Sequence, residues 1–203
     1  MIHAVVFDFG QVICLPPDPR VMDQIARVAG LDTKTMFRLV WDNRSEYDRG
    51  TYTGKEYYKR ILALAGVRCD EGALEEMARL DSSAWTNLNP ATLRLMEDAR
   101  AAGRKLGILS NLPRDFLELA RKTIPIFSQT DVAVFSCEVR AIKPEARIYE
   151  ELIAACACKA GEIAFFDDMA VNVEKAREMG IAAFLWKDAD TAREELARLG
   201  VFH

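Results

Sequence analysis

The stretch Ala4-Val5-Val6-Phe7-Asp8-Phe9-Gly10 decides how this chain is read. Four apolar residues follow one another without alternation and stop at a carboxylate. Continuous apolarity over so short a run marks a strand covered on both faces, as in a parallel sheet under helices. Four more runs share the texture: Leu106-Gly107-Ile108-Leu109, Val132-Ala133-Val134-Phe135, Ile163-Ala164-Phe165-Phe166 and Ala182-Ala183-Phe184-Leu185-Trp186. Helical segments separate the last four. Asn89-Pro90 supplies an N-cap and an N1 proline, and Gly103 ends that helix. Pro144 opens a second, through Tyr149, Leu152 and Ile153. Val173, Ala176 and Met179 share one face of a third, stopped by Gly180. Thr191-Ala192-Arg193-Glu194 has the form of a capping box for the last helix. Strand and helix alternate, which predicts an α/β domain with a doubly wound, Rossmann-like parallel sheet.

Residues 16–85 break that rhythm. Pro16-Pro17 and Pro19 open the segment, and Asp32-Thr33 precedes the apolar Met36, Phe37, Leu39, Val40 and Trp41. Thr53-Gly54-Lys55-Glu56 is a capping box ahead of Tyr57, Tyr58, Ile61, Leu62 and Leu64, and Gly66 closes that helix. The expectation is an α/β core made of residues 1–15 and 86–203. An all-helical cap, residues 16–85, is inserted after the first strand, with the Trp and Tyr residues serving its own core.

A length of 203 residues corresponds to about 1.4 domains, in keeping with one domain carrying an insert. Hydrophobic residues make up 50% and charged residues 29%, which excludes a disordered, collagen-like or fibrous chain. No run reaches the roughly 18 apolar residues of a membrane span. The opening MIHAVVFDFG lacks a basic region, so it reads as a strand rather than a signal peptide. Net charge is −4; residues 16–85 carry 11 basic and 12 acidic side chains, the remainder 16 and 19. Neither part is a basic patch, which argues against nucleic acid or an anionic membrane as partner. Five cysteines without framework spacing suggest reduced thiols and a cytoplasmic protein, and Cys156-Ala157-Cys158 is read as small packing residues rather than a metal pair. The two histidines are His3 and the terminal His203, which excludes most Ser-His-Asp, Cys-His and His-ligated zinc mechanisms.

Ligands of an open parallel sheet bind beyond the carboxyl ends of its strands. The first strand ends in Asp8-Phe9-Gly10, the second in Ser110-Asn111 and the fourth in Asp167-Asp168, while Lys143-Pro144 follows the third. Asp8, Asp167 and Asp168 together make a hard, oxygen-rich site of the kind Mg²⁺ prefers. A carboxylate free of tight coordination can act as a nucleophile. Ser110, Asn111 and Lys143 would hold an anion such as phosphate.

On these residues the chain resembles the haloacid dehalogenase-like hydrolases over essentially its full length. Val6-Phe7-Asp8-Phe9-Gly10-Gln11-Val12-Ile13 is similar to that family's first motif and Leu109-Ser110-Asn111 to its second. Lys143-Pro144-Glu145-Ala146-Arg147-Ile148-Tyr149 is similar to the third, and Phe165-Phe166-Asp167-Asp168 with Asn172-Val173 and Ala176 to the fourth. Residues 16–85 lie where this family inserts a helical cap. The resemblance implies that Asp8 attacks phosphorus to form an aspartyl-phosphate. It implies Mg²⁺ bound by Asp8, the Gly10 backbone carbonyl and Asp168, with Asp167 acting through a metal-bound water. Ser110 would bond the phosphoryl oxygen, and Lys143 would neutralise Asp8 and phosphate together. The substrate expected is a small phosphorylated molecule, and the protein a monomer or homodimer.

One position departs from the pattern. Family phosphatases usually carry a second Asp two residues after the nucleophile, as acid and base; here Gly10 stands there. Three readings stay open. The first is a phosphatase whose acid comes from elsewhere, Asp18 or another cap residue, or whose leaving group needs little help. The D-x-G-x-V motif resembles a subgroup that includes bacterial sugar-1-phosphate phosphatases. The second is a metal-independent 2-haloacid dehalogenase, against which Asp167-Asp168 argues. The third is a binding or regulatory protein that kept the fold. Substrate choice is expected from the cap, where Trp41, Arg44, Tyr47, Arg49 and Tyr52 form a polar–aromatic stretch.

Overall fold

The computed structural model describes residues 1–202, so the reading that touched His203 lies outside the described residues. Strand β1 (Ala4–Phe7) is buried along its whole length. It lies between β2 (Lys105–Ser110) and β4 (Ile163–Asp167), with β3 (Val132–Phe135) outside β2 and β5 (Ala182–Leu185) outside β4. All four pairings are parallel, in the order β3-β2-β1-β4-β5. Val6 faces Gly107 on one side and Phe165 on the other. A Cβ at Gly107 would stand 2.9 Å from a Val6 methyl, so glycine lets these two strands approach.

Successive side chains of a strand point to opposite faces. Val5 and Phe7 therefore enter one apolar layer and Ala4 and Val6 the other. Phe7, Phe166 and Phe184 stack across β1, β4 and β5 with centroids 5.4 Å apart.

Helices α1 (Pro19–Ala29), α2 (Thr33–Asp42), α3 (Arg44–Asp48), α4 (Gly54–Leu64) and α5 (Glu71–Ser83) follow β1. Asp18, Asp32 and Asp70 cap three of them by accepting backbone N–H bonds. Thr53 and Glu56 cap each other reciprocally at α4. Tyr47, Tyr57 and Tyr58 fill an apolar core that these helices keep among themselves, with Tyr47 and Tyr57 stacked at 4.4 Å. The two chain connections to this segment run side by side: Cys14 pairs antiparallel with Leu88.

The remaining helices clothe the sheet. They are α6 (Pro90–Ala101), α7 (Arg114–Thr123), the short α8 (Ile126–Gln129) and α9 (Ser136–Val139), α10 (Ala146–Cys156), α11 (Ala170–Glu178) and α12 (Ala189–Arg198). Leu95, Phe116 and Leu196 bring α6, α7 and α12 onto one face; Ile148, Leu152, Val173 and Ala176 bring α10 and α11 onto the other. The chain is thus an α/β protein wound on both sides of one parallel sheet.

Two helix starts differ from expectation. The last helix opens at Ala189 and not at Thr191. Asp188 caps it by accepting the Thr191 N–H, which places Ala192 and Leu196 against the sheet. The third-motif helix opens at Ala146, because Pro144 sits in a cis Lys143–Pro144 turn closed by the Glu145 N–H on the Ile142 carbonyl. Among the described residues no helix is long and apolar enough to cross a membrane.

Candidate active site

Asp8 leaves the end of β1 with its N–H on the Phe166 carbonyl of β4 at 2.8 Å. The chain then makes a wide turn over Phe9–Ile13, in which Gln11 takes the left-handed φ of 58°. The Asp8 carboxyl is turned back on its own strand end. Its Oδ1 accepts the Phe9 N–H at 2.7 Å and meets Lys143 Nζ at 2.9 Å, which leaves Oδ2 to the cleft.

Lys143 is 4% exposed. Its ammonium reaches Asp167 Oδ2 at 2.6 Å, the Leu109 carbonyl at 3.1 Å and Asp8, so its three protons are all matched. Asn111 fixes the backbone that carries it. The Lys143 N–H donates to Asn111 Oδ1 at 2.7 Å, and Asn111 Nδ2 donates to the Lys143 carbonyl at 3.0 Å. The amide expected to touch phosphate thus also holds Lys143, with its second Nδ2 proton left over.

Asp167 is fully buried, with Oδ1 accepting from Met169 N–H and Asn172 Nδ2 and Oδ2 from Lys143. Asp168 is half-buried and its Oδ2 accepts Gln11 Nε2 at 2.9 Å. One carboxylate oxygen from each of Asp8, Asp167 and Asp168 lies within 4.8 Å of the others. Burial is the main force on Asp8 and pushes its carboxyl up to about 7; Lys143 opposes, and Asp167 and Asp168 add to the rise. Burial, then Asp167, raises Asp168 as well. Burial pulls the Lys143 ammonium down, but Asp167 and Asp8 outweigh it and leave it raised. Two of the three carboxylates, Asp8 and Asp167, share one ammonium, and Asp168 has no cation of its own among the described residues. The donors are hard oxygens and their charge is in excess, which fits a small divalent cation.

Asp8, Lys143 and Asp168 line a cleft of about 370 Å³ between the strand ends and the helical segment, together with Gly10, Ser110, Asn111 and Asn172, while Asp167 lies buried behind them. Ser110 is 2% exposed. The far wall brings Trp41, Arg44, Ser45, Asp48 and Trp85. Of the polar–aromatic stretch, Trp41 and Arg44 therefore reach the cleft. Tyr47 is in the helical core, Arg49 binds Glu145 and Glu46, and the Arg60 guanidinium lies over Tyr52. Asp18 does not line the cleft. It caps α1, and its hydrogen bonds to Arg20 hold its carboxyl down at about 2, the wrong direction for a proton donor. Gln11 and Asp48 are additions that sequence reading missed. Gln11 stands within the first-motif string but was given no role there, and Asp48 has no motif; the faint signal for Asp48 was its place four residues after Arg44.

Residues 2–180 match the model of a family described as haloacid dehalogenase-like hydrolase. The chain belongs to that family. It is 29% identical over 203 residues to Phosphatase MT3486 of Mycobacterium tuberculosis (strain CDC 1551 / Oshkosh), covering 97% of this chain and 93% of that one. The structure is similar to the HAD family enzyme bt-2542 of Bacteroides thetaiotaomicron in complex with magnesium and inorganic phosphate. That match has a TM-score of 0.72 and 18% identity, over 93% of this chain and 96% of the other. It is also similar to L-2-haloacid dehalogenase from Xanthobacter autotrophicus, with a TM-score of 0.68 and 21% identity over 97% and 83%. At those identities the two structures speak for the shared fold.

Proposed function

We propose that this hydrolase is a Mg²⁺-dependent phosphatase that acts on a small phosphorylated metabolite through an aspartyl-phosphate on Asp8. The observation that carries the reading is the cluster of Asp8, Asp167 and Asp168 around one matched ammonium, Lys143. A dehalogenase reaction at Asp8 has no use for that excess of negative charge. The phosphatase relative and the magnesium–phosphate complex of the Bacteroides enzyme support the same choice.

Asp8, the Gly10 carbonyl and Asp168 would hold Mg²⁺, with Asp167 behind them. The ion, when bound, supplies positive charge beside the anionic substrate. The Asp8 carboxylate attacks phosphorus. Lys143 keeps that carboxylate ionised and offsets charge on the phosphoryl oxygens, and the Ser110 hydroxyl donates to one of them. Asn111 and Asp167 act through Lys143, one on its backbone and one on its ammonium. Catalysis is then mostly positioning and charge neutralisation. Residues 16–85 serve as the cap, and Trp41 and Trp85 wall the part of the cleft that receives the rest of the substrate.

A panel of small phosphate esters, assayed with Mg²⁺ and with EDTA, tests this. Phosphate release that needs Mg²⁺ and disappears in Asp8→Asn is expected. Metal-independent chloride release from 2-chloropropionate would move the assignment to a dehalogenase.

A further inference from the structure

Transfer to Asp8 expels an alkoxide unless a proton reaches the leaving oxygen. The residue two places after Asp8 cannot deliver one, because it is Gly10. The Trp85 ring stands 3.4 Å from where a Gly10 Cβ would be, so an aromatic side chain takes the adjoining space. Among the described residues, the titratable side chains lining the cleft are Asp8, Arg44, Asp48, Lys143 and Asp168. Asp8, Lys143 and Asp168 are committed to nucleophile, ammonium partner and metal. A guanidinium does not give up its proton near neutral pH. Asp48 remains.

Asp48 ends α3 with its side chain 14% exposed. Arg44 Nε donates to its Oδ1 at 2.9 Å, and Arg44 Nη1 donates to Asp81 Oδ2 at 2.7 Å. Two nearly buried carboxyls thus share one guanidinium, and the pair carries one charge too many unless one of them holds a proton. Burial lifts the Asp48 carboxyl above its ordinary value; Arg44 opposes and Asp81 adds to the rise. The other titratable groups around this cluster are Tyr47 on α3, Tyr57 and Tyr58 on α4, Asp115 on α7, Cys137 on α9 and Lys143 across the cleft.

The backbone at Asp48 is tied to the rim that carries the reacting groups. Its carbonyl accepts Ser136 Oγ at 2.6 Å. Two residues on, a Cβ at Gly50 would be 2.8 Å from the Cys137 carbonyl, so the chain crosses α9 in contact. Between them, Arg49 forks onto Glu145 at 2.9 and 2.6 Å, two residues from Lys143. A cap side chain is thereby held in fixed relation to the strand ends.

We infer that Asp48 is the acid and base of this active site, in place of the carboxyl absent at position 10. The role rests on the phosphatase reading above. In the first step an Asp8 oxygen bonds to phosphorus. The bond from phosphorus to the leaving oxygen breaks, its electron pair stays on that oxygen, and the oxygen takes the Asp48 proton. In the second step the Asp48 carboxylate takes a proton from water. The water oxygen bonds to phosphorus, and the bond from phosphorus to Asp8 breaks. Asp8 returns as carboxylate, Asp48 as carboxylic acid, and inorganic phosphate leaves.

The test is the dependence of kcat on leaving group, from p-nitrophenyl phosphate to simple alkyl phosphates, in wild type, Asp48→Asn and Asp48→Glu. Asp48→Asn keeps an oxygen for Arg44 but has no proton to give. Alkyl phosphate turnover should fall about 10²–10⁴-fold, and nitrophenolate release much less. The second step should now limit, so nitrophenolate should appear as a burst. The variant should lose the alkaline fall in rate that deprotonation of Asp48 causes, and Asp48→Glu should restore part of the alkyl turnover. An equal loss for every leaving group without a burst, or no loss, overturns the role of Asp48 while the Asp8 chemistry stands. If Asp48→Asn fails to fold, Asp48→Glu decides: a changed leaving-group dependence supports the role and an unchanged one overturns it. A wild type that releases phosphate from none of the esters with Mg²⁺ overturns both readings.

Discussion

At Asp8 two demands conflict. A nucleophile must be ionised, yet burial next to two other carboxylates pushes this one up to about 7. Because the folded value exceeds the ordinary 3.8, the folded chain holds the proton more tightly than the unfolded chain. The stability linked to that proton is complete below pH 3.8 and is lost as pH rises to about 7. Asp8→Asn has no such proton. In EDTA the variant should melt at a higher temperature than wild type at pH 8, with the gap shrinking toward pH 5, while turnover is abolished. Thermal melts across pH check this, and a variant less stable than wild type at pH 8 contradicts it. With Asp48 already supplying the proton, Gly10→Asp should not raise alkyl phosphate turnover; a gain would mean that a missing acid had limited the rate. Asp8, Ser110, Asp167 and Asp168 were legible because each stands at a strand end, and Lys143 because it stands before a proline in the connection that follows β3. Gln11 and Asp48 were not. Gln11 meets Asp168 across 157 positions and Asp48 meets Ser136 across 88, and contacts so distant leave no periodic trace.

Among the elements, the contact of α4 with α7 fixes how the helical segment sits. The Gly54 N–H at the start of α4 donates to Asp115 Oδ2 at 2.6 Å, in the first turn of α7. A Cβ on Gly54 would stand 2.5 Å from both Ala78 Cβ and that oxygen, and 3.0 Å from the Tyr47 hydroxyl. Gly54→Ala should therefore force the helices apart and cost about 1–3 kcal/mol. It should also weaken substrate binding, because α3 and its cleft residues move with Tyr47. A melt and a KM measured together check this, and an unchanged pair contradicts it. Capping was legible at α2, α4 and α6, where one good cap stood before an apolar face. It misled at α12, where Asp188 and Thr191 both cap well and packing of Ala192 and Leu196 chose the earlier one.

For the molecule as a whole, the length of about 1.4 domains now corresponds to a sheet and a helical segment that meet at one cleft. A net charge of −4 says little about that cleft, where three carboxylates stand beside one ammonium. Mg²⁺ that binds the folded chain alone stabilises it by about 2.7 kcal/mol at a hundred times its Kd, a rise of about 5–10 °C in Tm. Asp168→Ala should remove most of the rise; an equal rise in the variant contradicts the ligand set. The strands and their ends could be read ahead of the structure because parallel sheets bury their strands on both faces. The substrate side of the cleft could not, because it forms where the sheet meets a helical segment that has its own apolar core. The most direct measurement is peptide mass analysis after acid-quenched turnover of a phosphate monoester with Mg²⁺. The expected result is one phosphoryl group on the peptide that contains Asp8, absent in EDTA and in Asp8→Asn. Phosphate release that persists in Asp8→Asn, or that leaves no phosphoryl group on that peptide under conditions of a burst, would contradict it.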